Sequence, residues 1–423
     1  MTLWTWTVLL LAVTATATEL YLSWRQKASV CARRGNVPAA FANSIKLPAH
    51  QKAADYTMAR LKLKDTSQLT GLIMLLAWTF GGGLNLLDGI SDAAGLPGLW
   101  GGVIFMLFFF LIAHLLDLPA DIYRTFAIEA RFGFNKISLR LYLGDMLKQT
   151  LLMLIIGTPL LWVMLALMQG AGHMWWLYAW LVWSAFILLM IWVYPTFIAP
   201  LFNRFEPLPD GPMKARIEAL LSRCRFHSNG LYVMDGSRRS SHGNAYFTGL
   251  GRAKRIVFFD TLIKQLDAEE AEAVLAHELG HFHHGHVKRR IMMMLLLSLL
   301  GFALLGWIAQ QTWFYTGLGV SRPSNHAALT LFLLVMPFFT FMLTPLMNRF
   351  SRRNEFEADA YAVANSNGAA LISALVKMYK YNASTLTPDM LYSAWHDSHP
   401  PAPVRIVHIE QCMGKYSSRS CDM

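Results

Sequence analysis

Seven stretches of this chain run for about twenty residues each without a single lysine or arginine. They are residues 3–23, 69–87, 98–116, 150–169, 174–194, 291–309 and 328–346. A helix rises 1.5 Å per residue, so each stretch reaches roughly 30 Å, the thickness of the hydrocarbon core of a bilayer. The backbone of such a segment must satisfy its own hydrogen bonds, which leaves the helix as its form. Composition agrees: 55% of the 423 residues are hydrophobic and only 15% are charged. The fold class is therefore mainly α, a polytopic membrane protein with seven transmembrane helices, rather than two or three soluble domains.

The charges orient those helices. Residues 24–66 carry nine Lys/Arg and residues 117–149 carry five, and the long stretch beyond Tyr194 carries many more. The intervening segments 88–97 and 170–173 carry none, and 310–327 has only Arg322. Positive-inside partitioning then puts the N-terminus outside and the C-terminus in the cytosol. The net charge of +11 is accounted for by this topology, so no nucleic acid is expected as a partner; the lipid bilayer is. Ala15-Thr16-Ala17 resembles a small-residue cleavage site, but no basic segment precedes the first span and Arg25 to Arg34 follow it, so the span is expected to be retained.

Four segments organise the chain: 1–194, five spans with cytosolic loops 24–66 and 117–149; 195–290, a polar cytosolic segment; 291–346, two more spans; and 347–423, a polar helix and tail. Within the second, residues 231–234, 244–248 and 255–259 read as short strands, the last two as an antiparallel pair around Gly249, Gly251 and Lys254. A small antiparallel β-sheet is therefore expected beside the helices. Asp267 with Glu270 three residues on is a capping box, and a helix should run from there through His281.

That helix carries His277-Glu278-Leu279-Gly280-His281. Histidines four apart lie on one helical face, so both imidazoles can reach one metal ion, and Glu278 is placed to take the proton of an attacking water beside it. This is the zinc peptidase pattern, and the expected cofactor is one Zn2+ per chain. Two histidines leave the site short of a protein ligand. Glu355, in Glu355-Phe356-Glu357-Ala358-Asp359, is the best supplier, and Asp359 one turn later can buttress a histidine through its other ring N–H. Glu357 points nearly opposite and reads as a solvated charge. His283, His284 and His286 follow the motif at a helix end where histidine is favoured in any case, and none is expected to bind the metal. Asn382-Ala383-Ser384 matches a glycosylation sequon but falls on the cytosolic side and should be silent.

These motifs together resemble the type 1 CAAX prenyl protease family. The resemblance is carried by the His277 motif, Arg352 to Asp359, Asp235 to Phe247, Pro200 to Phe205 and His396-Asp397-Ser398-His399-Pro400-Pro401, in order along nearly the whole chain. It implies a gluzincin-type, integral-membrane zinc endopeptidase with seven spans around an intramembrane chamber and a zincin-like domain at its cytosolic end. It also implies that Asn244, Ala245 and Tyr246 form an edge strand that binds extended substrate, a mode that reads backbone and tolerates varied side chains. His399 would donate a hydrogen bond to the developing oxyanion, and Arg405 would support it. The substrates so implied are peptides or proteins, prenylated or membrane-embedded, losing a C-terminal tripeptide; the enzyme would act as a monomer. Short loops and a bare tail suit a bacterial inner membrane better than the endoplasmic reticulum, and there unlipidated segments are the expected substrate. Two other readings stay open at this point: a heat-shock-type quality-control protease with fewer spans, and a catalytically silent scaffold or transporter.

Overall fold

The computed structural model describes residues 2–93, 95, 98–248 and 255–421, so Gly249, Gly251 and Lys254 lie outside the described residues. Five helical segments are long and apolar enough to cross a membrane: Leu3–Ala32, Gly98–Glu129, Leu139–Gly170, Gly172–Phe202 and His286–Ile308. The other two expected spans are broken helices. Leu47–Trp78 and Gly83–Ala93 meet at 54°, and Asn325–Phe341 and Thr344–Asn365 meet at 62°. The seven expected spans thus correspond to five helices plus two bent pairs among the described residues. At the first break Thr79 Oγ1 caps back onto Leu75 O at 2.6 Å, and the chain turns through Gly82 at positive φ.

Apolar side chains face outward along these helices. Leu181, Leu188, Leu189 and Trp192 are all largely exposed on one of them, a surface that only lipid can cover. Their inner faces pack around Phe105, Met106, Phe314 and Leu331, each essentially inaccessible.

A second core lies below the membrane helices. Its sheet comprises β1 (Phe205–Pro207), β2 (Leu231–Met234), β3 (Ala245–Thr248) and β4 (Arg255–Phe259), in the order β1-β2-β4-β3. The expected β3–β4 antiparallel pair is present, with Ala245 opposite Phe258 and Thr248 opposite Arg255. The sheet as a whole is mixed rather than antiparallel, because β2 and β4 run parallel, Leu231 opposite Ile256. The reason is burial. Ile256, Val257 and Phe258 form a continuous apolar run, each at most 2% exposed, which demands cover on both faces and a central place between β2 and β3. That leaves β3 at the edge.

The motif helix, Ala268–His283, packs on this sheet through Val274, Leu275 and Leu279. Its start follows the capping box: Asp267 Oδ1 accepts the Glu269 and Glu270 amides, and Glu270 returns a carboxylate oxygen to the Asp267 amide at 2.9 Å. Its end is set by Gly285 at φ +68°, after which the next membrane helix begins. Across the motif helix lies the third-ligand helix, Thr344–Asn365. The two can touch because Gly280 has no side chain: a Cβ there would sit 2.9 Å from Ala358 Cα.

The tail folds back over this pair. Arg352 donates to the carbonyls of Ala394 (3.1 Å) and Asp397 (2.8 Å), and Asn348 donates to Trp395 O, which fixes the turn that leads to His399. The final helix, Ala402–Cys421, then brings Arg405 under the motif.

Candidate metal centre

His277, His281 and Glu355 converge, with one ligand atom of each inside a span of 4.8 Å. The Nε2 atoms of the two histidines face each other at 3.3 Å. Glu355 reaches both, Oε2 to His277 Nε2 at 3.4 Å and Oε1 to His281 Nε2 at 3.3 Å. Residues 74 positions apart in sequence, 281 and 355, are brought together by the Gly280–Ala358 contact.

Each metal-facing histidine is held from behind. His277 Nδ1 lies 2.8 Å from Asp359 Oδ1, so the Nδ1–H donates to the carboxylate and Nε2 presents its lone pair inward. Asp359 is itself fully buried and gripped by Arg405, whose Nε donates to Oδ2 at 3.0 Å. Arg405 is thus placed on Asp359, with Nη1 also 3.6 Å from Glu355 Oε2. His399 does come to the centre: its ring is largely exposed, with Nδ1 2.7 Å from Glu355 Oε2.

His281 has a partner that the sequence reading passed over. Its Nδ1 is 3.0 Å from Nδ1 of buried His286, and His286 Nε2 is 3.0 Å from Glu357 Oε2. Glu357 accepts from the Nε2–H, which leaves His286 Nδ1 to accept from His281 and turns the free Nε2 of His281 toward the centre. Glu357, expected as a solvated charge, instead anchors this relay and also accepts from Arg353 at 3.2 Å. Gly285, at positive φ, resets the chain direction and swings His286 back against the motif.

The donor set suits a divalent cation. Burial alone would raise the Glu355 carboxyl, but hydrogen bonds from His277, His281 and His399 outweigh it and hold it far below the usual carboxylate range. Burial and the Arg405 charge push His277 down, yet Asp359 and Glu355 prevail and its pKa rises to about 9. Glu355 Oε2 is held between His277 Nε2 and His399 Nδ1, a donor set that a divalent cation would satisfy. Two imidazoles and one carboxylate with room for a further ligand are the mark of a catalytic site rather than a closed structural one. Glu278 is half-buried and makes no ion pair or hydrogen bond among the described residues, so its carboxylate is free for proton transfer.

Beside this centre runs β3. Asn244 O accepts the Phe259 amide at 2.9 Å, so by antiparallel alternation the backbone groups of Ala245 and Phe247 point to the open edge. Tyr246 packs its ring on Phe259, and Asn244 turns its side-chain oxygen onto the Ala245 amide.

Such a centre, set at one end of a bundle of membrane helices, defines an integral-membrane metallopeptidase of the two-histidine, one-glutamate class. Known proteins make the assignment narrower. Residues 26–204 match the family description "CAAX prenyl protease N-terminal, five membrane helices", and residues 207–413 match "Peptidase family M48". The chain is 38% identical over 70% of its length to CAAX prenyl protease 1 homolog of Arabidopsis thaliana, covering 70% of that protein. It is 33% identical to the Dictyostelium discoideum homolog over 95% of this chain and 96% of that one. The crystal structure of S. mikatae Ste24p superposes with a TM-score of 0.90 at 30% identity, covering 97% of this chain and 99% of the other. The chain belongs to peptidase family M48, in its CAAX prenyl protease 1 branch.

Proposed function

We propose that this chain is a zinc endopeptidase that cuts extended polypeptides at a cytosol-facing site, close to their C-terminal ends. The observation that carries the reading is the convergence of His277, His281 and Glu355 with an unpartnered Glu278 on the same helix. Zinc held by the three ligands supplies a Lewis acid that polarises the scissile carbonyl and acidifies water. The other steps belong to the chain. Asp359 and His286 keep the two imidazoles in the right tautomer and orientation, and Arg405 keeps Asp359 charged and in place. The Glu278 carboxylate takes a proton from the attacking water and returns it to the leaving amine. His399, on an exposed loop at the centre, donates to the carbonyl oxygen as negative charge develops there. Ala245 and its neighbours Asn244 and Tyr246 hold the substrate backbone as an added strand.

The relatives are named CAAX prenyl proteases, and a cut close to the C-terminus is what the family resemblance implies. The orientation follows from the basic residues, with the N-terminus outside and the centre in the cytosol, in a bacterial inner membrane on the argument from short loops. There an unlipidated, membrane-embedded C-terminal segment is the favoured substrate, and one monomer is sufficient because all ligands come from one chain.

Replacing Glu278 by Gln tests the mechanism. The variant should retain zinc and lose at least about a thousandfold in kcat, as expected when a proton-transfer group is removed. Cleavage at the wild-type rate by well-folded Glu278→Gln protein would falsify the assignment.

A further inference from the structure

We propose that the cavity beside His399 seats the free C-terminal carboxylate of the substrate, with Arg60 as its counter-charge. The proposal rests on the peptidase reading and adds what that site selects.

The cavity has a volume of about 660 Å³, within the range typical of small-molecule sites. His399, Pro401, Arg60, Lys64 and Arg124 are among its lining residues. Asp397 is the one carboxylate among its lining residues, so the walls are net positive. Two of the cations are committed elsewhere: Lys64 lies 2.9 Å from Glu19, and Arg124 lies 2.9 Å from Asp121. Arg60 has no carboxylate within ion-pair distance among the described residues. Its guanidinium rests on the Tyr56 ring, 5.4 Å from the centroid, while Glu129 nearby is taken by the Tyr56 hydroxyl at 2.6 Å and by His242 at 3.4 Å. A guanidinium offers a carboxylate two parallel donors, the strongest geometry available to such a pair.

Strand direction leads a substrate to this cavity. Antiparallel pairing is the more stable mode of strand addition. A peptide lying antiparallel to β3 runs from the Thr248 end toward the Asn244 end, so its residues after the cut bond leave past Gly243. That exit is fixed by Asn382, whose side-chain oxygen accepts the Gly243 amide at 3.0 Å and whose NH2 donates to Gly243 O at 3.3 Å. Asn382 also lines the cavity. His399 both lines the cavity and lies 2.7 Å from Glu355 Oε2, so the cavity opens beside the metal centre, and three extended residues after the cut span roughly 10 Å. A longer continuation would have to place uncharged backbone against Arg60. The site would therefore favour bonds a few residues from a free C-terminus over bonds in mid-chain.

The test uses the full-length, zinc-loaded protein in detergent and two synthetic peptides that differ only in ending as a carboxylate or a carboxamide. A charge-assisted bond predicts that wild type favours the acid by about tenfold or more in kcat/KM. In Arg60→Gln that acid-to-amide ratio should fall toward one, and Arg60→Lys should keep a clear acid preference. A wild-type ratio near one, or an undiminished ratio in Arg60→Gln, overturns the proposal. Should Arg60→Gln not fold, wild type alone decides with a third peptide ending in a cationic aminoethylamide. Slower cleavage of it than of the neutral amide supports the proposal, and equal rates overturn it. If zinc-loaded wild type cuts none of the peptides, the peptidase reading itself fails, whereas acid and amide cut alike would remove only the carboxylate site.

Discussion

At the residue scale, the centre is a set of hydrogen-bonded rings whose outer partners decide what the inner atoms can do. His277, Glu278 and His281 were legible from spacing alone, and Glu355 and Asp359 from a second helical repeat of acids. His286 was not, because its role depends on a turn at Gly285 that reverses the chain and on Glu357 arriving from another helix. Outer partners of metal-binding histidines typically carry 10–100-fold in affinity. His286→Ala should therefore weaken zinc binding by about that factor, measured by competition with a chromophoric chelator, and His286→Asn should recover part of it by still accepting from His281. Unchanged affinity in His286→Ala would mean that His281 needs no such support. Arg405, expected by resemblance to support His399, has its guanidinium on Asp359 and within 3.6 Å of Glu355, contacts that the sequence did not show.

At the element scale, two helices must approach closely enough for Glu355 to meet the histidines, and Gly280 sets the distance. The motif pattern leaves that position unspecified, so its importance was invisible until the Ala358 backbone was seen against it. A methyl group in that contact must separate the helices or distort them, and overpacking of this kind costs about 1–3 kcal/mol. Gly280→Ala should lower the thermal midpoint by several degrees and weaken zinc binding, whereas Ala358→Gly should leave the ligand geometry intact. Equal zinc affinity and melting in wild type and Gly280→Ala would show that the helices have slack the contact distance denies. The capped start of the motif helix was readable because a capping box is local chemistry. Strand order was not, since pairing β2 with β4 in parallel depends on which strand the core can bury on both sides.

At the scale of the whole molecule, the apolar spans were legible because lipid imposes a length on every crossing. The 54° and 62° breaks were not, as an apolar run reads the same whether its helix is straight or bent. Nor was the cavity, whose walls come from the second helix, the sequence near Asn382 and the tail carrying His399. The metal centre is equally a product of the whole fold: the His277 helix and the Glu355 helix are separated in sequence by the helices His286–Ile308 and Asn325–Phe341, and the tail supplies Arg405. Zinc binding is therefore a report on correct assembly as well as on ligand identity. The most direct test is the metal content of purified, folded protein, wild type beside Glu355→Ala and the double replacement His277→Ala/His281→Ala. About one zinc per chain in wild type, with little or none in the double replacement and a strongly weakened site in Glu355→Ala, is the predicted result. Less than about half an equivalent in wild type, or full zinc retained after both histidines are removed, would contradict the account.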